Sequence, residues 1–89
     1  MEVKVSLIIP VYGVENFLER SVDSALAQTL EEKEIVLVDD GSPDACPVLC
    51  DRYAREYPGL VKVIHQGNQG LGMARNAGVA AARGGYLAF

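Results

Sequence analysis

The apolar positions of the chain form two kinds of pattern, short continuous runs and longer stretches with helical spacing. Continuous runs are typical of strands that are buried on both faces of a parallel sheet. They predict four strands, over residues 3–10, 34–38, 60–65 and 86–89. Between them, apolar or small residues recur every three or four positions, which predicts helices over 14–30, 45–57 and 71–83. Strands and helices therefore alternate along the whole chain.

This alternation predicts the fold class α/β. Parallel strands joined by right-handed crossovers carry their helices on the two faces of one sheet. We therefore expect a three-layer α/β/α architecture with a mostly parallel sheet, a Rossmann-like half with the strand order 3-2-1-4. This order creates a topological switch point between the first and fourth strands. Open α/β sheets bind ligands at such points, at the carboxyl ends of their strands.

The helical spacing also predicts which side chains are buried and which residues cap the helices. In the first helix, the apolar residues expected against the sheet are Phe17, Leu18, Val22, Ala25 and Leu26. In the second helix they are Cys46, Val48, Leu49 and Tyr53. Asn16 is a candidate N-cap for the first helix, and Ser42 or Asp44 for the second.

Two adjacent carboxylates follow the second strand. The apolar run Ile35–Val38 leads directly into Asp39 and Asp40, and Gly41 then permits a sharp turn. Because burying two carboxylates is costly, we expect both to lie where the strand emerges from the sheet. They therefore mark the carboxyl edge as the candidate ligand site.

Composition narrows the class of protein. The 89 residues carry a formal net charge of -4, and 49% are hydrophobic and 22% charged, as in a globular domain. An acidic chain is not expected to bind nucleic acid through its charge. No apolar run approaches the ~20 residues of a membrane span, and the N-terminus lacks the pattern of a signal peptide. We therefore expect a cytoplasmic protein.

The two cysteines, Cys46 and Cys50, are four residues apart. Side chains at this spacing on a helix are poorly placed for a disulfide. A metal site would need more ligands than the one histidine of the sequence, His65, can supply. We expect two buried thiols in a reducing compartment, and a structural role for His65.

Five segments of the sequence, in order, resemble family 2 glycosyltransferases. They are Val5–Tyr12, Ser24–Thr29, Val38–Asp44, Asn68–Gly78 and Gly84–Phe89. Together they span nearly the whole chain. The resemblance implies a GT-A fold and a nucleotide-diphosphate sugar as the donor, often a UDP sugar. It also implies transfer of the sugar to an acceptor hydroxyl with inversion at the anomeric carbon.

Carried over by position, the resemblance implies a set of donor-binding residues. They are Pro10, Val11, Tyr12, Asp39, Asp40 and Arg75. Tyr12 could stack on the base, or pack on the sheet edge. One aspartate could accept the N3–H of uracil, while the alternative for Asp39 is to cap the turn. Arg75 could contact the diphosphate or ribose, or pair with a carboxylate.

The resemblance also implies what these residues lack. Gly13 and Gly72-Met73 are mild departures from the family pattern, but the Asp-x-Asp motif that binds metal would begin only after Phe89. We therefore expect residues 1–89 to be a single partial domain, the donor-binding half, with no catalytic residue and no metal site of its own. A divalent metal, Mn or Mg, would be held mostly outside it, and the chain alone would be inactive.

The same resemblance implies partners for the full-length enzyme. They are a nucleotide-sugar donor and a glycan or lipid-linked acceptor, reached in the cytoplasm or at the cytoplasmic face of the membrane. Exposed sheet edges would allow a dimer.

Two other classes of function stay open. The first is a non-catalytic nucleotide-binding or interaction module built on the same half sheet. The second is a nucleotidyltransferase, which is disfavoured because residues 12–16 provide no cation after the first strand.

The glycine-rich loop Gly67–Gly72 does not match a dinucleotide fingerprint, since Arg75 stands where a third glycine belongs. It does not match a phosphate-binding Walker loop either.

Overall fold

A computed structural model describes residues 5–27, 33–83 and 86–88. Seven elements alternate as the pattern predicts. They are the strands β1 (Val5–Val11), β2 (Lys33–Asp40), β3 (Val61–Gln66) and β4 (Tyr86–Ala88), and the helices α1 (Glu15–Ala27), α2 (Cys46–Glu56) and α3 (Leu71–Ala81). The ends that were predicted at residues 3–4, 28–30 and 89 lie outside the described residues.

The strands form one parallel sheet in the order β3-β2-β1-β4, which is the predicted order. β1 pairs with β2 so that Val11 lies opposite Asp39, and β2 pairs with β3 so that Asp39 lies opposite His65. β1 runs one residue further than predicted, because Pro10 pairs with Val38 inside the strand rather than ending it. The sheet therefore brings the last residues of β1, β2 and β3 to one edge.

Two apolar cores confirm the three layers. On one face, α1 and α2 bury Leu18, Val22 and Tyr53 against odd-numbered strand residues such as Ile35 and Leu37. On the other face, α3 packs Ala74 against Ile8, Val36 and Val38. Successive strand residues face opposite sides, so β2, in which every residue is buried, contributes to both cores.

A glycine sets the distance between α3 and the sheet. A Cβ added to Gly78 would overlap the side chain of Ile8 and crowd that of Val38. The small residues of α3 therefore let the helix lie directly on the sheet, as its composition predicts.

Two predicted core residues and one predicted cap are wrong. Phe17 is 59% exposed and Val48 is 70% exposed. The buried stripe of α1 runs through Leu18, Val22 and Ala25, and that of α2 through Cys46, Cys50 and Tyr53, so both residues fall just off the stripe. Asn16 lies inside α1, where the carbonyl of Val14 already accepts the first helical hydrogen bonds.

The cysteines are buried and free, as predicted. Burial is the largest cause that raises the pKa of Cys50 to about 12, and the nearby charge of Asp39 adds to it. Burial also raises the pKa of Cys46. Both side chains therefore stay protonated and behave as small apolar residues.

A buried carboxylate, Glu34, fastens the amino end of the sheet. Its Oε2 accepts hydrogen bonds from the hydroxyl of Ser6, at 2.6 Å, and from the backbone N–H of Arg83. Nε of Arg83 lies 3.2 Å and Nζ of Lys62 lies 3.6 Å from its Oε1. Burial would raise the pKa of Glu34, but these hydrogen bonds and charges lower it to about 2. Glu34 therefore ties the chain beyond α3 to β2.

Candidate functional site

The carboxyl ends of β1 and β2 lie side by side. At the end of β1, Val11 is fully buried and Tyr12, the next residue, is 45% exposed. Gly13 turns the chain with a φ of 65°, a conformation that favours glycine. Its N–H donates a 2.9 Å hydrogen bond to the hydroxyl of Ser42, in the turn after β2. The two loops are therefore joined directly.

Asp39 and Asp40 were expected to emerge from the sheet, and this expectation is wrong. Both are the last residues of β2, and only 4% and 1% of their surfaces are exposed. Because strand residues alternate, Asp39 lies on the face of α1 and α2, and Asp40 on the face of α3. Internal hydrogen bonds satisfy both carboxylates, which is why they can be buried.

The carboxylate of Asp40 organises the loop before α3. Its Oδ1 accepts hydrogen bonds from Nε2 of Gln66 and from the N–H of Gln69, each 2.8 Å long, and its Oδ2 accepts one of 2.9 Å from the N–H of Gly70. The bond from Gln66, followed by that from Gln69, keeps the pKa of Asp40 below its usual range. Asp40 is therefore an ionised anchor for this loop.

Asp39 does hold the turn that follows β2, one of the two roles considered for it. Its Oδ1 accepts a 3.0 Å hydrogen bond from the N–H of Ser42. Its Oδ2 lies 2.7 Å from Nδ1 of His65 on β3. A carboxylate oxygen has two lone pairs, so these contacts leave acceptor capacity on Asp39.

His65 has partners on both of its ring nitrogens. Nδ1 faces Asp39, and Nε2 lies 2.8 Å from Oδ1 of Asp51 on α2. The hydrogen bond to Asp51 is the largest cause that raises the pKa of His65, and that to Asp39 is the next. His65 therefore links β3 to both β2 and α2.

A second glycine holds the loop after β2 against the loop after β3. Gly41 has a φ of 70°, and an added Cβ would lie 2.8 Å from the backbone nitrogen of Asn68. Nδ2 of Asn68 also donates a 3.2 Å hydrogen bond to the carbonyl of Asp40. Arg75 follows on the exposed second turn of α3.

Asp44 lies beside Ala45, the N-cap residue of α2, and ties the start of this helix to α1. Its Oδ1 accepts hydrogen bonds from the hydroxyl of Ser42, at 2.5 Å, and from the N–H of Cys46, at 3.0 Å. Its Oδ2 accepts one of 3.2 Å from the N–H of Glu15, whose own Oε2 accepts one from Ala45. The Ser42 bond is the largest cause that lowers the pKa of Asp44 to about 2.

A cleft of about 460 Å³ lies between β1 and α1. It is lined by Leu7–Pro10 and by Arg20, Ser21, Ser24 and Ala25, so it includes Pro10 but neither Asp39 nor Asp40. The outer side of Pro10 and the Asp39 edge are therefore distinct surfaces in the described part of the chain.

The described residues do not fit a metal ion. Within 5–27, 33–83 and 86–88, no group of three or more His, Cys, Asp or Glu side chains is placed to hold one. Asp39 and Asp40 are adjacent in sequence, but they lie on opposite faces of the sheet and accept different hydrogen bonds.

In the described ranges 5–27, 33–83 and 86–88, no helix is long and apolar enough to cross a bilayer.

Several residues of this edge were not singled out from the sequence. They are Asp51 and Gln66, with a connecting role for Ser42 and His65. Asn68 and Gln69 belong to the segment Asn68–Gly78 of the resemblance, but their contacts with Asp40 were not predicted. One signal was available, because polar residues end both β2 and β3, and parallel pairing puts Asp39 opposite His65 and Asp40 opposite Gln66. The loop contacts across 28 to 30 residues had no such signal.

The chain belongs to glycosyl transferase family 2. The model of this family matches residues 6–89, nearly all of the sequence. This match agrees with the resemblance carried by the five segments.

Individual relatives give the same assignment. The chain is 49% identical over 85 residues to the uncharacterized glycosyltransferase EpsJ of Bacillus subtilis, covering 96% of this chain and 24% of that protein. It is 42% identical over 86 residues to glycosyltransferase GlyA of Streptococcus pneumoniae, covering 97% and 12%. The chain thus spans at most about a quarter of the length of these relatives.

Solved glycosyltransferase structures share the fold. S. aureus TarS 1-349 in complex with UDP-GlcNAc superposes with a TM-score of 0.84 at 30% identity, covering 94% of this chain and 25% of that one. Mannosyltransferase PcManGT of Pyrobaculum calidifontis, in complex with GDP-Man and Mn2+, gives 0.80 at 26% identity, covering 92% and 25%. The described α/β sheet is therefore that of a GT-A fold, and the chain covers about a quarter of each of these neighbours.

Proposed function

We propose that this chain forms the donor-binding part of an inverting glycosyltransferase that uses a nucleotide-diphosphate sugar, with UDP as the nucleotide. The observation that carries the proposal is the position of Asp39. It is the second-last residue of the buried strand β2 and lies opposite Val11, the residue before Tyr12, in a chain that matches the family over residues 6–89. The donors named for TarS and PcManGT, UDP-GlcNAc and GDP-Man, support a nucleotide sugar as the ligand class.

The donor-binding residues in this proposal are those that the resemblance implies. They are Pro10, Val11, Tyr12, Asp39, Asp40 and Arg75. Tyr12 is exposed at the edge and offers an aromatic face on which a base can stack, a contact worth ~1–3 kcal/mol. Arg75, exposed on α3, offers a cation to the diphosphate. Val11 supports the site from the core.

The two aspartates have different roles in the proposal. Asp40 is ionised and filled by three hydrogen bonds from the loop before α3, so it acts by shaping that loop. Asp39 keeps acceptor capacity and accepts the N3–H of uracil. Cytosine carries a lone pair at the same position, which a carboxylate repels. Asp39 therefore gives preference for UDP over CDP.

The reaction of the whole enzyme is a displacement at the anomeric carbon. The acceptor oxygen forms a bond to this carbon, and the bond from the carbon to the diphosphate oxygen breaks. The hydroxyl proton passes to a base, and UDP leaves with the electron pair. The described residues hold and orient the donor, which is a proximity effect. They supply neither the base nor the metal, so residues 1–89 alone do not transfer sugar.

The remaining parts of the proposal concern the whole protein. Residues 1–89 form one part of a larger catalytic domain, which holds a divalent Mn or Mg ion with ligands mostly outside them. The acceptor is a glycan or a lipid-linked glycan in polysaccharide biosynthesis. The protein acts in the cytoplasm or at the cytoplasmic face of the membrane. Dimers can form through exposed sheet edges.

Titration calorimetry with UDP, CDP and GDP tests the donor assignment. The protein is the longest natural chain that contains these residues. We expect a preference of about 10–100-fold for UDP over CDP, which Asp39→Asn removes. Glu56→Gln, an exposed change of the same kind on α2, leaves the preference intact. Equal affinity for UDP and CDP, or a preference that persists in Asp39→Asn, contradicts the assignment.

A further inference from the structure

The imidazole of His65 lies between two carboxylates from two different elements. Nδ1 is 2.7 Å from Oδ2 of Asp39 on β2, and Nε2 is 2.8 Å from Oδ1 of Asp51 on α2. Both distances are those of charge-assisted hydrogen bonds. A neutral imidazole has one N–H and one lone pair, so one of its nitrogens would face a carboxylate with a lone pair. The geometry therefore fits an imidazolium that donates to both.

The two carboxylates are not equivalent. Only 5% of the Asp39 side chain is exposed, and it is further fixed by the N–H of Ser42. The Asp51 side chain is 53% exposed on the surface of α2. His65 itself is 44% exposed, so it reaches the solvent beside the site. The contact with Asp39 is therefore the fixed one, and Asp51 lies on the outside.

We propose that His65 is a positioning residue of the donor site, which holds the carboxylate of Asp39 in register for the nucleobase, and that Asp51 keeps His65 in place. This inference rests on the proposed function of Asp39. Without His65, the N–H of Ser42 remains as the anchor of Asp39 among the contacts described above. The carboxylate can then rotate about its Cβ–Cγ bond. Base preference, rather than affinity for the diphosphate, is the property that then weakens.

The charged groups that act on His65 are few among the described residues. They are Asp39 from β2 and Asp51 from α2, and both favour the protonated ring. A nuclear magnetic resonance titration of the ring protons follows this pair without any nucleotide. We expect Asp51→Asn to lower the pKa of His65, and Glu56→Gln on the same helix to leave it unchanged.

Two conservative variants separate positioning from folding. In His65→Asn, the amide nitrogen is as far from Cβ as Nδ1 is in histidine, so a donor remains for Asp39. In His65→Gln, the amide lies further out, at the place of Nε2, so the donor faces Asp51 instead. Both variants remove the ring and its charge. A merely structural role of the ring would affect them alike.

The test is the ratio of UDP to CDP affinity, measured by calorimetry on the longest natural chain, after amide spectra confirm that each variant is folded. We expect His65→Asn to keep the preference for UDP and His65→Gln to lower this preference about tenfold. A preference that is the same in both variants overturns the inference while the donor site stands. A wild-type protein without preference overturns the donor site, and the inference with it.

Discussion

The backbone N–H of Gly70, at the start of α3, donates a 2.9 Å hydrogen bond to Oδ2 of Asp40, 30 residues earlier at the end of β2. The same carboxylate also accepts from Gln66 and Gln69. One buried side chain therefore sets the path of the loop that links β3 to α3. It does so at the edge where the donor is proposed to bind.

Replacing this carboxylate tests its role as an anchor. In Asp40→Asn, an amide NH₂ replaces one oxygen and meets backbone N–H donors, which leaves buried donors without acceptors. We expect the melting temperature to fall by roughly 5–10 °C, because each such loss weighs heavily on a domain of this size. Circular dichroism measures the melt. Glu56→Gln, which is exposed, is the control with an unchanged melt, and an equal melt for Asp40→Asn would remove the anchor from the account.

Alanine substitutions at three glycines distinguish the cost of backbone strain from the cost of close packing. Gly13 and Gly41 both have positive φ, but only Gly41 also lies against Asn68. We expect Gly13→Ala to cost about 1 kcal/mol of unfolding free energy, and Gly41→Ala clearly more. Gly72, in the first turn of α3, has neither feature, so Gly72→Ala should be neutral or stabilising by up to ~1 kcal/mol. Urea denaturation ranks the three, and any other order contradicts this account of the loops.

Glu34 makes the stability of the protein depend on acid. Its pKa is lowered from 4.5 to about 2 in the folded state, so its contribution is present above 4.5 and is lost as the pH falls toward 2. Glu34→Gln should cost about 2 kcal/mol at neutral pH, because a charge-assisted partner of Ser6 and Arg83 is removed. The stability of the Glu34→Gln variant should also fall less steeply than that of the wild type between pH 4.5 and 2. Parallel slopes in urea denaturation would show that Glu34 does not titrate in this way.

His65 gives a pH dependence of the opposite sign. Its folded pKa is raised above the ordinary value of 6.5, so the stability it contributes is present below pH 6.5 and is lost as the pH rises through the folded pKa. We expect the urea midpoint of the wild type to fall between pH 6 and pH 8, below the range where thiols titrate. His65→Asn should be flat over this interval. A wild-type midpoint that does not change would mean that the two carboxylates do not hold a charged ring.

The sequence was sufficient for the architecture, because strand and helix patterns depend on local periodicity. The order of the strands followed from chain connectivity and handedness. The buried faces of the helices were predicted less accurately than the elements themselves. Phe17 and Val48 each lie one or two positions from a buried residue, and each position turns the side chain by about 100° around the helix axis, which is enough to expose it. Their neighbours Leu18 and Cys50 are the buried ones.

The candidate site was only partly predictable. That Asp39 and Asp40 end β2 follows from the pattern, but their burial depends on donors that the fold supplies from elsewhere, such as His65 and Gly70. No local signal places a loop amide 30 residues away against a carboxylate. Alternation along β2 would have put the two aspartates on different faces, and this could have been inferred.

We propose above that a uridine nucleotide binds at the carboxyl edge of β1 and β2. Mapping the shifts of backbone amides on addition of UDP tests it most directly, in the isotopically labelled longest natural chain. We expect the shifts to concentrate at Tyr12, Gly13 and Asp39–Ser42, and CDP to cause much smaller ones. Shifts confined to Ser21 and Ser24, in the cleft between β1 and α1, or no shifts at all, would contradict it.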